Sequence, residues 1–311
     1  MKKAFITGAT GFAGSFLTEY LISKNIEVVG TYLSDFDSSI KAKFIKLNLL
    51  DYVATDGALK AEKPDYIFHL AALTSPSDSF NNPSETITNN VAAQVNILEA
   101  AKNSCSESRI LVISSADVYG VVKSSDLPID ENTSLMPVNP YAVSKLAQDF
   151  LGLQYFLSYD LPVVRVRPFN HIGPKQAGNF VIPSFAKQIA EIEKGDKEPV
   201  IKVGNLSAKR DFTDVRDMVR AYLFAVEKGD MGEVYNIGSG KSYAISEILN
   251  KLLSLSSRKI EIEIDESKLR PKDEPELVCD NSKFKNKTDW QPEINIDQTL
   301  KDTLDYWRNI V

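Results

Sequence analysis

Tyr141 and Lys145 stand four residues apart in the stretch Asn139-Pro140-Tyr141-Ala142-Val143-Ser144-Lys145. On a helix that spacing puts both side chains on one face. Asn139 can cap such a helix, and Pro140 suits its first turn. A phenol ionises near ~10 in water, too high for ready proton exchange at neutral pH. An ammonium one turn away stabilises the phenolate and is expected to lower that value. A second hydroxyl, Ser115, opens Ser115-Ala116-Asp117-Val118-Tyr119-Gly120 after an apolar run, at the strand end where a parallel sheet presents reactive groups. There it can hydrogen-bond the same oxygen that Tyr141 protonates. A tyrosine–lysine pair alone is common on amphipathic helices; with the serine it suggests proton transfer at the oxygen of a carbonyl or hydroxyl group while hydride moves at its carbon.

Such chemistry needs a hydride carrier, and the N-terminus offers a place for one. Gly8-Ala9-Thr10-Gly11-Phe12-Ala13-Gly14 spaces its glycines GxxGxxG between a strand and a helix. A turn at Gly8, close backbone approach at Gly11 and tight packing at Gly14 would set a pyrophosphate at the helix N-terminus. An NAD-selective site usually places an acid for the ribose at the end of the second strand. Here that position falls among Thr31, Tyr32, Leu33 and Ser34, with no acid before Asp35. Without the carboxylate a 2′-phosphate meets no repulsion, although no arginine is near to hold it. NADPH is favoured, with NADH also usable.

The elements that must position these groups alternate. Ala4–Thr7, Glu27–Thr31, Phe44–Leu47, Tyr66–Leu70, Arg109–Ser114 and Pro162–Val166 read as short buried strands. Apolar residues recur at helical spacing from Ala13 to Leu21, and helices are also expected over Val91–Lys102, Pro183–Glu193, Val215–Glu227 and Ala244–Leu255, and at the C-terminus. This βαβ order predicts an α/β fold, a doubly wound parallel sheet of the Rossmann type. The dinucleotide-binding domain is expected over residues 1–169. A smaller, mainly substrate-binding lobe follows over 170–311, with some segments returning to the first domain.

With 311 residues the chain can bury a large core. Its 36 basic and 42 acidic residues, net −6, argue against nucleic acid but not against a phosphate held by a few cations. The apolar run after Met1 is too short for a signal peptide, and no stretch reaches membrane-span length. Cys105 and Cys279 lack metal-site spacing, and the histidines are His69 and His171 alone. No metal site and no disulfide framework are expected, and the reading is a cytoplasmic protein with reduced thiols.

Taken together, Gly8 to Gly14, His69-Leu70-Ala71-Ala72, Ser115 and the Tyr141–Lys145 pair resemble the extended short-chain dehydrogenase/reductase family over essentially the whole chain. The resemblance implies that Leu70, Ala71, Ala72 and Pro168 line the cofactor and that Ser115 and Tyr141 contact the reacting oxygen. Lys145 would support both the tyrosine and the ribose. Asn48-Leu49 stands near the adenine, where the family often has Asp-Leu, and His69 is read as structural. Many relatives pair through two helices, here Val91–Lys102 and Tyr141–Leu157, so a homodimer is expected.

Later segments point to the substrate. Arg167-Pro168-Phe169-Asn170-His171, Asn179-Phe180-Val181, Lys187, Val203-Gly204-Asn205-Leu206-Ser207-Ala208-Lys209-Arg210 and Arg270-Pro271-Lys272-Asp273 are similar to the GDP-mannose 4,6-dehydratases and GDP-4-keto-6-deoxy-D-mannose reductases. The implied substrate is a GDP-sugar. Arg210 and Arg270 suit bidentate capture of its diphosphate, with Asn170, Asn179, Lys187, Val203 and Asn205 nearby and Asp273 on the guanosine ribose. Dehydratases of this kind carry Glu two residues after the aligned serine or threonine; here that residue is Asp117. A reductase is therefore expected, yielding GDP-D-rhamnose or its C4 epimer. A dehydratase, an epimerase and a non-catalytic dinucleotide-sensing regulator are the alternatives.

Overall fold

The computed structural model describes residues 1–34, 40–268 and 275–311. Asp35, Arg270 and Asp273 lie outside the described residues. The first six strands are β1 (Lys3–Thr7), β2 (Glu27–Tyr32), β3 (Lys43–Lys46), β4 (Tyr66–His69), β5 (Arg109–Ile113) and β6 (Val163–Pro168). After them come β7 (Asn170–Ile172), β8 (Val200–Val203), β9 (Lys209–Asp214), β10 (Val234–Ile237), β11 (Ser242–Ala244), β12 (Glu261–Ile264) and β13 (Glu276–Leu277). The main sheet runs β3-β2-β1-β4-β5-β6-β10, all parallel. Its order reverses between β1 and β4, so a crevice opens beyond their C-terminal ends.

A parallel sheet buried on both faces needs apolar residues on both, which is why its strands read as unbroken runs. Ala4, Ile6, Phe68, Leu111 and Val164 go to one core; Phe5, Ile67, Ile110, Val112 and Val163 go to the other. The helices are α1 (Phe12–Ser23), α2 (Tyr52–Glu62), α3 (Pro76–Asn81), α4 (Pro83–Ser104), α5 (Pro140–Tyr159), α6 (Val181–Lys194), α7 (Val215–Lys228), α8 (Ile245–Ser254), α9 (Ser282–Thr288) and α10 (Ile296–Ile310). The first core receives Leu17 and Leu21 of α1 and Met218, Val219 and Tyr222 of α7. The opposite core receives Leu59 of α2, Ile97 and Leu98 of α4 and Tyr155 of α5.

A second lobe has its own core, built from Ile182, Phe185 and Ile189 of α6, Ile248, Leu249 and Leu252 of α8, and Leu300, Leu304 and Trp307 of α10. In this lobe β11, β9 and β13 pair in that order with β7 added on β9, while β12 pairs with β8. The chain crosses back after residue 170: α7, β10, Phe284 and Trp290 pack with the main sheet.

Helices α3 and α9 and strands β7 to β13 have no counterpart in the sequence reading, and two further elements differ from it. Helix α4 starts at Pro83, eight residues before Val91, because proline suits a first helical turn. Helix α2 was not foreseen: its buried face is only Thr55, Leu59 and Glu62, and Asp51 caps it through the Ala54 amide at 3.0 Å. Among the described residues no helix is long and apolar enough to cross a membrane, and no cluster of three or more His, Cys, Asp or Glu could hold a metal ion.

Close approach decides the glycine loop. Gly8 has φ +67°, and a Cβ on Gly14 would collide with the Gly8 carbonyl. Gly14→Ala therefore pushes α1 off the loop. Forced overpacking of this kind costs about 1–3 kcal/mol, visible as a lower urea midpoint; an unchanged midpoint would show that the loop relaxes freely.

Candidate active site

Helix α5 starts as its sequence implies. Asn139 Oδ1 accepts from the Ala142 amide at 2.7 Å and Pro140 takes the first position. Tyr141 and Lys145 then lie on the buried face with Ala142, Ser144, Gln148 and Asp149. Ser115 follows β5 and caps the 3₁₀ turn Ala116–Tyr119, its Oγ accepting from the Asp117 amide at 3.1 Å. The fold brings Ser115 and Tyr141 together: a side-chain hydrogen bond to Ser115 favours the phenolate, while the neighbouring charge of Asp117 opposes it.

The expected effect of Lys145 on the phenol is not found. Burial is the largest influence on Tyr141 and drives its pKa well above the ordinary phenol value, with Asp117 adding to the rise. Burial likewise pushes Lys145 down to about 7. Its Nζ donates to the Ile113 carbonyl at 2.9 Å. Desolvation outweighs the pairwise attraction because both side chains are out of water. Tyr141 is thus held protonated, as a proton donor requires.

His69 is buried at the end of β4. Its Nδ1 lies 2.9 Å from the Thr7 hydroxyl, which also accepts from the Ala71 amide at 3.1 Å. Burial, with the Lys145 charge second, pushes its pKa down to about 3. The chain Thr7–His69–Ala71 joins the ends of β1 and β4 under the crevice. A Cβ on Gly8 would sit 3.0 Å from the Ala71 backbone, so loop and strand end touch.

The glycine loop fits a dinucleotide. Gly11 is the N-cap of α1, offers no side-chain cap, and no acid stands in the first turn, leaving the helix N-terminus suited to an anion. Thr10 and Gly11 are exposed, and Phe12 and Ala13 half-buried. Thr31 is buried at the end of β2, its carbonyl accepting from the Ala9 amide at 3.1 Å. Asn48 is exposed and accepts from the Leu50 amide, while buried Leu49 gives its carbonyl to Asn96. Leu70, Ala71 and Ala72 are half-buried after β4, and Pro168 closes β6.

The substrate-side residues are more scattered. Asn170 pairs with Phe212 on β9, two residues after Arg210, so these two lie on neighbouring strands. Asn170 and Asn179 are exposed. Arg210 is half-buried and donates to the Lys209 carbonyl at 2.8 Å. Asn205 Oδ1 holds the Ser207 amide and hydroxyl. The Lys187 ammonium lies 5.5 Å from the Trp307 ring centroid and 4.0 Å from Glu191. The side chain of Val203 is fully buried in the second core, and its carbonyl accepts from the Asp265 amide. Val203 is the last residue of β8.

Sequence reasoning missed what holds α5. Asp149 is fully buried, and its two oxygens accept from Arg165 at 2.5 Å and Arg167 at 2.7 Å. On the side toward α4, Asn90 donates to Ser144, Gln148 to the Asn90 carbonyl, and Gln94 to the Gln148 carbonyl. The signal was present: two arginines alternate in a strand that otherwise reads as core, and a buried charge needs a partner.

Comparison with known proteins settles the family. The GDP-mannose 4,6 dehydratase family model matches residues 5–303. The chain belongs to that family. It is 35% identical to the GDP-6-deoxy-D-mannose reductase of Pseudomonas aeruginosa, covering 100% of this chain and 98% of that protein. It is 28% identical to the GDP-mannose 4,6-dehydratase of Yersinia enterocolitica, over 96% of this chain and 91% of that one. Among solved structures, RMD from Pseudomonas aeruginosa complexed with NADPH superposes with a TM-score of 0.89 at 35% identity, covering all of both chains.

A lysine free in an unfolded chain ionises near ~10.4, and Lys145 ionises near 7 when folded. Between those values the unfolded chain binds more protons, so this residue makes stability rise with pH. Below pH 7 the folded protein carries the full cost of the buried charge. Lys145→Met should therefore raise the cofactor-free Tm at pH 6.5, by about 2–4 °C per kcal/mol recovered. The advantage should shrink toward pH 10. A variant less stable than the parent at pH 6.5 would contradict this.

Proposed function

We propose that this enzyme reduces the C4 keto group of GDP-4-keto-6-deoxy-D-mannose to GDP-D-rhamnose, or to its C4 epimer, using NADPH. The observation that carries the reading is a protonated, buried Tyr141 beside Ser115, with Asp117 where a dehydratase has glutamate. A 4,6-dehydratase must also remove the C5 proton and expel the C6 hydroxyl. Asp is one methylene shorter than Glu, and a misplacement near 1 Å can cost on the order of 10²-fold. A reductase needs only a hydride, a proton and a polarised carbonyl. The full-length likeness to a GDP-6-deoxy-D-mannose reductase supports the same choice.

When bound, the reduced nicotinamide supplies the hydride. Tyr141 gives its proton to the C4 oxygen as negative charge develops there, and Ser115 hydrogen-bonds that oxygen. Lys145, near its own pKa at neutral pH, would hold the cofactor ribose and return a proton to Tyr141. Gly8, Thr10, Gly11, Phe12, Ala13 and Gly14 would hold the pyrophosphate. Thr31 would border the adenine ribose, with Asn48, Leu49, Leu70, Ala71 and Ala72 around the base and Pro168 near the nicotinamide.

NADPH is favoured because Thr31 to Ser34 offer no acid. Exposed Lys46 pairs with Tyr32 across the β2–β3 register, adding positive charge at that strand end. Arg210, with Arg270, would grip the diphosphate near Asn170, Asn179, Lys187 and Asn205, and Asp273 the guanosine ribose. We also read the chain as a homodimer through α4 and α5: Val143, Phe150 and Leu157, seven residues apart on α5, are exposed rather than internal core. The free Cys105 and Cys279 suit a reducing cytoplasm.

The test offers GDP-mannose alone, and GDP-4-keto-6-deoxymannose with NADPH. Oxidation of NADPH should match the keto sugar consumed. Tyr141→Phe should lose roughly 10²-fold or more in turnover, the scale of general-acid contributions, while still binding NADPH. Efficient conversion of GDP-mannose without added reductant would establish a dehydratase instead.

A further inference from the structure

Arg167 sits between the two segments that carry the reacting groups. It is 3% exposed, on β6, one residue before Pro168. Its Nε donates to Asp149 of α5 at 2.7 Å, two turns beyond Tyr141. Its Nη1 donates to the Tyr119 hydroxyl at 3.0 Å and to the Glu131 carbonyl at 3.3 Å. Tyr119 ends the 3₁₀ turn that Ser115 caps. The guanidinium carbon lies 5.3 Å from its ring centroid, and its hydroxyl donates to Asn236 at 2.7 Å. One planar group therefore joins the helix of Tyr141 to the turn of Ser115.

Charge balance does not explain the arrangement. Asp149 already has a cation in Arg165, at 2.5 Å on its other oxygen. A second arginine adds a fixed fork that an ammonium cannot reproduce. We propose that Arg167 is a positioning residue that sets the approach of Ser115 to Tyr141 and so the rate of hydride transfer. This rests on the roles given to Ser115 and Tyr141, and not on which sugar is turned over.

Arg167→Lys keeps the charge and loses the span; Tyr119→Phe keeps the ring and cuts the far end. Both are assayed in whichever direction the parent enzyme runs, reduction of GDP-4-keto-6-deoxymannose or oxidation of GDP-mannose, with hydride deuterated in each case. Arg167→Lys should lower kcat by about 10-fold or more, within the loss that small misplacements cause, with NADPH affinity kept. The primary isotope effect on kcat should rise toward its intrinsic value, a change that general loosening would not produce. Tyr119→Phe should show a smaller change of the same kind, and the double variant should be no slower than Arg167→Lys. A crystal structure of Arg167→Lys should show Ser115 and Tyr141 drawn apart. Unchanged kcat and isotope effect in folded Arg167→Lys, or in Tyr119→Phe if the lysine variant does not fold, would overturn the proposal.

Discussion

The site depends on how α5 lies against the sheet, and a buried carboxylate with two guanidinium groups fixes that. Asp149 reaches Arg165 and Arg167 across the face of β6. It is four residues after Lys145 and eight after Tyr141, so the rotation that satisfies its charge also turns the phenol and ammonium toward the strand ends. Losing one partner of such a buried pair costs about 3–5 kcal/mol, because the other charge is left in a dry interior. On the flank toward α4, Asn90 and Gln94 donate to the Ser144 hydroxyl and the Gln148 carbonyl, and Gln148 donates to the Asn90 carbonyl. Sliding or rolling α5 would break both sets.

Burial then decides the chemistry of the groups so placed. Tyr141 and Lys145 are both nearly inaccessible, and each moves toward its neutral form. Pairwise attraction across one helical turn, which the sequence spacing suggests, is smaller than the loss of water. An acid ready to donate and an amine balanced near neutrality suit reduction of a carbonyl. The arrangement costs stability in the cofactor-free protein, as active sites often do.

The sheet was legible because its strands are buried on both faces and punctuated by glycine or proline, as at Gly8 and Pro64. The loop, Ser115 and the Tyr141–Lys145 pair were legible because their chemistry needs those residues at those spacings. Less visible was α2, whose buried face is short and partly polar. The return of α7 and β10 to the first core was only broadly expected, since nothing local in 215–237 says which sheet it joins. The anchoring of α5 escaped notice because Asp149 lies on a helix and Arg165 and Arg167 on the strand that follows it, and only the fold brings them into contact.

The central claim is that hydride reaches C4 while Tyr141 supplies the proton. Incubation of GDP-4-keto-6-deoxymannose with NADPH deuterated at the transferring C4 position of its nicotinamide tests it directly, read by NMR of the product sugar. One deuterium should appear at C4 of the 6-deoxyhexose and none at C6. A product lacking deuterium at C4, or carrying it at C6, would contradict the account.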